Sequence, residues 1–197
     1  MAFDLVMGLT ALFGYLLGSI PFGLLLTKVA GLGDIRAIGS GNIGATNVLR
    51  TGRKDLALLT LLLDSGKGAI AVLVTFLYIQ PDYAALAGAA AFLGHCFPLY
   101  LNFKGGKGVA TFFGTLLAID PLVGGIGILT WLISAALFRI SSLAALMAAL
   151  VPPVYCAVVG AQDILPYIIV MTVLIFLRHR ENIKRIIGGT EPKIGKK

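Results

Sequence analysis

From Phe3 to Leu177 the chain is a succession of apolar segments joined by short connections in which almost all of its charge is gathered. The segments are Phe3 to Thr27, Leu56 to Ile79, Tyr83 to Leu101, Val109 to Ile119, Leu122 to Phe138, Leu143 to Gly160 and Ile164 to Leu177. Crossing the hydrocarbon of a bilayer takes about 20 apolar helical residues, so this pattern restricts the fold to a polytopic bundle, all-α, with seven transmembrane helices. Val109 to Ile119 is the short one: eleven residues span about 17 Å at ~1.5 Å per residue, which implies a tilted or partly re-entrant helix. Only 13% of the residues are charged and 58% are hydrophobic, against about 25% charged in soluble domains, which excludes a water-soluble globule. No linker or low-complexity tract divides the chain, so one membrane domain over residues 1–197 is expected. The N-terminal segment lacks the basic flank of a signal peptide and reads as a retained spanning helix.

Charge placement orients the bundle. Lys28, Arg36, Arg50, Arg53 and Lys54 lie in the first connection, Lys104 and Lys107 in the third, Arg139 in the fifth, and Arg178, Arg180, Lys184, Arg185, Lys193, Lys196 and Lys197 in the tail. The other connections hold Asp82, Asp120 and Asp163 and no basic residue. With seven passes every basic connection becomes cytoplasmic under the positive-inside rule, with the N-terminus outside and the C-terminus inside. Merging the fourth and fifth segments would send Arg139 and the tail to the outer face, so Asp120-Pro121 is read as a tight turn between two helices.

Three of these basic stretches carry more than anchoring charge. The first, Gly39-Ser40-Gly41-Asn42-Ile43-Gly44-Ala45-Thr46-Asn47-Val48-Leu49-Arg50, combines glycines that let a backbone approach an anion with neutral hydrogen-bonding groups and one guanidinium fork. A phosphate suits it; the competing reading is a solvated flexible connector. The second, Phe103-Lys104-Gly105-Gly106-Lys107-Gly108-Val109, is a glycine-rich turn leading into a helix, where backbone N–H groups and two lysines offer an anion site. Its spacing is not that of a nucleotide-binding P-loop, which argues against ATP hydrolysis. The third, Arg178-His179-Arg180-Glu181-Asn182-Ile183-Lys184-Arg185, places His179 and Asn182 on one helical face; a basic stop-transfer segment would need neither. By the same parity all of these sites open to one side, as a site for two phosphorylated ligands requires.

Within the second span Asp64 and Lys67 stand three residues apart on one helix face, beside Gly66 and Gly68. Ionisable groups at membrane depth are functional candidates, and a structural ion pair is the alternative. His95, near Pro98 at the end of the third span, is open between packing and function. Cys96 and Cys156 lie in apolar stretches and read as packing residues. No ligand cluster calls for a metal, no cofactor is implied, and no nucleic-acid partner is expected.

These residues resemble the bacterial acyl-phosphate:glycerol-3-phosphate acyltransferases, membrane enzymes that make lysophosphatidic acid in phospholipid biosynthesis. The likeness runs through Gly18-Ser19-Ile20-Pro21-Phe22-Gly23, the stretch Gly39 to Arg50, Gly94-His95 with Phe97-Pro98, Lys104 to Thr111, and His179 to Arg185. It implies acyl phosphate and glycerol 3-phosphate as substrates, with membrane lipid around the protein, in the bacterial inner membrane with the active site facing the cytoplasm. It implies further that Ser40 and Arg50 belong to the active site, that Lys104, Gly105, Gly106, Lys107 and Gly108 cradle a substrate phosphate, and that His179 and Asn182 serve turnover, with Glu181 supporting structure. Asn42, Thr46 and Asn47 are expected to join the phosphate site, and Asp64, Lys67 and His95 to support it. Ile43 stands where the family often has proline. The H-x-x-x-x-D pattern of the other large acyltransferase class is absent, since Tyr100 and Lys184 occupy the fifth positions after His95 and His179. The general base is left between His179 and a phosphate oxygen of the substrate. The alternative function is a membrane transporter for phosphate or an organophosphate.

Overall fold

A computed structural model describes residues 4–195. Phe3, where the first expected span begins, and Lys196 and Lys197 of the basic tail lie outside the described residues. Those residues are all helical or irregular, with no strand among them. The chain separates into two compact units, Met1–Ile119 and Asp120–Lys197.

The first unit contains α1 (Leu5–Gly18), α2 (Phe22–Val29), α3 (Ala45–Leu49), α4 (Lys54–Tyr78), α5 (Ala84–Cys96) and α6 (Val109–Ile119). The first expected span is thus two helices. Pro21 has no N–H to donate and its ring would strike the carbonyl four residues back, so the helix stops at Gly18 and restarts at Phe22. The carbonyl of Ile20 exposed by this break accepts a hydrogen bond from Lys67 Nζ on α4 at 3.0 Å. The N–H of Ser19 and its hydroxyl both donate to Tyr15 O, at 2.9 and 2.8 Å. α1 packs on α5, and α4 on α5 and α6, through small residues. A Cβ at Gly18 would collide with Ala91 O, and one at Gly114 with Ser65 O. In a bilayer, where lipid tails are as apolar as leucine, such backbone approach is what drives helices together.

The second unit contains α7 (Pro121–Phe138), α8 (Ser141–Val159), α9 (Leu165–Arg178) and α10 (Arg180–Ile187). Asp120 is the N-cap of α7, accepting from Leu122 N at 2.8 Å and Val123 N at 3.2 Å, with Pro121 at the first helical position, where its missing N–H costs nothing. The expected turn is present. Pro152 and Pro153 lie inside α8 without ending it. Pro153 removes the donor that Ala149 O would have used, and Thr172 Oγ1 of α9 donates to that carbonyl instead at 2.9 Å, the kind of replacement that lets a proline persist in a membrane helix.

Among the described residues five segments are long and apolar enough to cross a membrane: Leu5–Val29, Lys54–Tyr78, Pro81–Leu101, Pro121–Phe138 and Ser141–Val159. Val109–Ile119 and Leu165–Arg178 are shorter apolar helices. Large apolar side chains such as Leu137 (71% exposed) and Val154 (62%) stand outward; over this many helices that surface suits lipid, not water.

Candidate functional site

The first cationic loop is a folded object. Ile35 and Val48 are buried in a cluster with Leu56 and Ala57 at the start of α4, and a Cβ at Gly23 of α2 would collide with Ile43 O. The loop is therefore anchored from below, which removes the reading of a flexible connector. Its polar centre is Asn47, 1% exposed. Asn47 Nδ2 donates to Ile35 O and Ile38 O, each at 3.0 Å. Asn47 Oδ1 accepts from Ser40 N at 3.2 Å, Ser40 Oγ at 3.4 Å and Arg50 Nη1 at 3.3 Å. One carboxamide oxygen thus brings together Ser40 and Arg50, ten positions apart and both exposed at the rim. Asn47 directs these hydrogen bonds to the loop and braces it.

Asn42 is half-buried, with Oδ1 accepting from Ile43 N at 3.0 Å, and Thr46 is exposed on α3. Gly39 and Gly41 have φ of +56° and +68°, left-handed values that favour glycine, and a Cβ at Gly39 would run into the Arg50 guanidinium. Asp34, at the foot of the loop, receives a two-pronged contact from Arg36, with Nη2 to Oδ2 at 2.6 Å. Hydrogen bonds from the Arg36 side chain and backbone push the Asp34 carboxyl down to about 2, so this arginine is committed within the loop.

The glycine loop departs from expectation in one respect. After α5 the chain passes through Asn102 and Phe103, both left-handed at φ 50° and 62°, and folds back on the end of α5. Gly105 N donates to Cys96 O at 3.2 Å and Gly106 N to His95 O at 3.0 Å. The departure is that those two amides close the end of α5. Cationic contact from this loop falls to Lys104, which is exposed, and Lys107, which is half-buried. Gly106 lies on the His95 imidazole and Gly108, at φ +83°, on the Phe92 ring; a Cβ at either would collide.

Beneath that loop sit Asp64, Lys67 and His95, at 2%, 2% and 4% exposure. Lys67 Nζ lies 3.0 Å from Asp64 Oδ1, and His95 Nδ1 lies 3.6 Å from the same oxygen. Thr111 Oγ1 of α6 donates to Asp64 O at 2.8 Å. The expected pairing along α4 is present, and His95 joins it.

In the second unit His179 caps α9 and is buried at 3% exposure. Its Nδ1 lies 2.8 Å from Ile175 O, and because a carbonyl only accepts, Nδ1 carries the proton and Nε2 is the basic nitrogen of the neutral ring. Asn182, at 6% exposure, donates from Nδ2 to Glu191 Oε1 at 2.5 Å. Glu191 also accepts from Ser142 Oγ at 2.6 Å and, on Oε2, from Arg185 Nε at 2.6 Å. Burial pushes the Glu191 carboxyl up, but the hydrogen bonds from Ser142, Asn182 and Arg185 and the Arg185 charge outweigh it and hold the group below its ordinary value. Glu181, the acid expected to support this motif, instead makes exposed pairs with Lys184 at 3.2 Å and Arg180 at 3.6 Å, which are worth little in water. Glu191 was missed. Its sequence signal is that it is one of two acids in a predominantly basic tail, beside Pro192.

Among the described residues no group of His, Cys, Asp and Glu is spaced to hold a metal. The first unit offers positive charge and hydrogen-bonding groups, and the second an imidazole oriented by Ile175 O. Fold and loops together define a polytopic helical membrane protein with structured, cationic loops. Residues 8–189 match the glycerol-3-phosphate acyltransferase family. The chain is 58% identical over 192 residues to the glycerol-3-phosphate acyltransferase of Jannaschia sp. (strain CCS1), covering 98% of this chain and 95% of that protein. It is 61% identical over 184 residues to the one of Maricaulis maris (strain MCS10), covering 93% and 85%. Among solved structures, PlsY (YgiH), an integral membrane glycerol 3-phosphate acyltransferase, in its glycerol 3-phosphate form, superposes with a TM-score of 0.90 at 40% identity over 96% of each chain. Its lysophosphatidic acid form gives 0.87 at 38% identity, over 96% of this chain and 95% of that one. The chain belongs to the glycerol-3-phosphate acyltransferase family.

Proposed function

We propose that this protein transfers a fatty acyl group from acyl phosphate to the 1-hydroxyl of glycerol 3-phosphate, giving lysophosphatidic acid and inorganic phosphate. The observation that carries the reading is the likeness over nearly the whole chain, at 40% identity, to an integral membrane acyltransferase with structures in glycerol 3-phosphate and lysophosphatidic acid forms. The local geometry agrees with it. Arg50, Lys104 and Lys107 supply the positive charge that two phosphates need, and Asn47 holds Ser40 and Arg50 at fixed separation.

The hydroxyl oxygen adds to the acyl carbonyl, the tetrahedral intermediate collapses, and the bond from acyl carbon to phosphate oxygen breaks with both electrons leaving on phosphate. Phosphate is a good leaving group, so the protein's work is positioning and charge stabilisation. The hydroxyl proton goes either to His179 Nε2 or to a phosphate oxygen of the substrate. Ile175 O fixes the ring tautomer that the first route requires.

Both units serve this one domain, residues 1–197. The bundle crosses the bacterial inner membrane seven times, with the short α6 and α9 among the passes, the N-terminus outside, and the basic loops and C-terminus cytoplasmic under the positive-inside rule. A transporter would hold its ligand near the midplane. The charges at that depth, Asp64 and Lys67, are spent on each other and on Ile20 O, which counts against that alternative.

The test is purified protein in lipid with synthetic acyl phosphate and glycerol 3-phosphate. Inorganic phosphate and lysophosphatidate are expected in equal amounts, acyl coenzyme A should give no product, and R50A should lower kcat/KM by roughly 100-fold or more. Transfer from acyl coenzyme A at a comparable rate, or an R50A enzyme at wild-type rate, would contradict the proposal.

A further inference from the structure

The buried charges of α4 have a job in the structure beyond neutralising each other. Asp64 Oδ1 has Lys67 Nζ at 3.0 Å on one side and His95 Nδ1 at 3.6 Å on the other. Lys67 is in turn fixed by Ile20 O at 3.0 Å, a carbonyl at the break before Pro21 that also accepts from Phe22 N at 3.1 Å, and stands 5.8 Å from the centre of the Phe22 ring. The main-chain oxygen of Asp64 is held by Thr111 Oγ1 at 2.8 Å, two residues into the helix that the glycine loop feeds. The far end of the row is His95, whose ring is the surface on which Gly106 lies and whose carbonyl takes the Gly106 N–H at 3.0 Å. Burying three ionisable groups is expensive unless each is oriented and paired. Here the pairing ends on the backbone of a loop that carries Lys104 and Lys107.

We propose that Asp64, Lys67 and His95 are positioning residues that set the height and tilt of the Lys104–Gly108 loop, and through it the grip of that loop on a substrate phosphate. The inference rests on the reading that this loop binds phosphate. Lys67, anchored on Ile20 O, sits against the Asp64 carboxylate, the carboxylate stands 3.6 Å from the His95 ring, an ion pair when that ring is protonated, and Gly106 lies on the ring. The three make no contact with substrate and exchange no proton with it. Their effect is geometric, and a displacement of about 1 Å in a binding group is enough to cost on the order of 100-fold in rate. Gly106 is part of the device, because any side chain there would push the loop off the imidazole.

Steady-state kinetics on the full chain in lipid separate this from plain structural support, because KM does not depend on the fraction of enzyme that is folded. K107A identifies which substrate the loop holds by raising the KM for that one. D64N, which keeps the shape of the side chain and removes its charge, should raise the same KM by about ten-fold or more, and G106A should do likewise. The D64N/G106A double variant should be little worse than the worse single one, since contacts in one chain are not additive. If D64N does not fold, H95Q is measured in its place with the same expectation. A folded D64N or H95Q enzyme with wild-type KM for both substrates, while K107A raises one, overturns this inference alone. A double variant whose KM rise is the product of the two single rises overturns it as well. If K107A and K104A both leave the two KM values unchanged, the phosphate reading of the loop fails, and this inference with it.

Discussion

Asn47→Ala should leave a protein that inserts but turns over at roughly one hundredth of the wild-type rate or less, and that unfolds at a distinctly lower temperature. The side chain is 1% exposed and its amide is shared among five partners: two carbonyls that accept from Nδ2, and Ser40 N, Ser40 Oγ and Arg50 Nη1, which donate to Oδ1. Alanine deletes all five and leaves polar groups of the loop without a partner, at a cost of about 1–3 kcal/mol for each that stays buried. The larger loss falls on activity, because Ser40 and Arg50 are exposed and owe their common position to one oxygen. Asn47→Asp should be no rescue, since it sets a carboxylate oxygen against the carbonyls of Ile35 and Ile38. Thermal unfolding in detergent and turnover in lipid check both statements. An N47A enzyme within threefold of wild-type kcat/KM would show that the loop is braced by something else.

Glu191→Ala should loosen the C-terminal tail and lower turnover by about ten-fold or more, acting through its partner Asn182. Three donors converge on this carboxylate from two helices: Ser142 at the start of α8, and Asn182 and Arg185 on α10. Charge-assisted bonds of this kind are worth about 1.5–3 kcal/mol each when a partner is removed. With the acid gone, the Asn182 amide loses this partner, and the residues after Ile187 lose their tie to Ser142 of α8 while keeping the pairing of Ile194 with Arg139. Glu191→Gln should be milder: its amide oxygen can keep Ser142 and Asn182, while its NH2 faces the Arg185 donor. Because folding holds this carboxyl below its unfolded value of about 4.3, its stabilisation is complete above that value and is lost as pH falls through the lower folded one. Limited proteolysis of the tail and turnover, measured on both variants, check the order wild type, E191Q, E191A. Wild-type proteolysis and turnover in E191A would refute it.

Much of this molecule is legible in its sequence because hydrophobic length and charge placement are physical constraints that survive without coordinates. Helix α6 falls on the expected Val109 to Ile119, and α7, α8 and α9 begin and end within two residues of their expected bounds. Asp64 and Lys67 pair as their spacing requires. What the sequence hides is who braces whom. The break at Pro21 sits in an otherwise continuous apolar run, and hydropathy does not see it; the carbonyl it opens is met by Lys67, 47 positions away. Asn47 looks like one more polar residue in a phosphate loop until its burial shows that both ends of its amide are spent. Gly105 and Gly106 suggest free amides, yet the chain reverses at left-handed Asn102 and Phe103 and gives those amides to α5. Glu181 was the nearer acid to Asn182 in sequence, but a helix turns its side chain outward, and Glu191 reaches back from beyond the helix end.

The proposal on which the rest depends is that the cationic loops and the tail open to the same, cytoplasmic side of the bilayer, as the positive-inside rule predicts. Cysteine labelling with a membrane-impermeant maleimide, on intact cells and on inside-out vesicles, tests it most directly; the native Cys96 and Cys156 are buried and should stay silent. Single cysteines at Arg53, Lys104 and Lys184 should react only in inside-out vesicles, and those at Gln80 and Gln162 only in intact cells. Reaction of Arg53 and Lys104 positions from opposite sides would contradict the account.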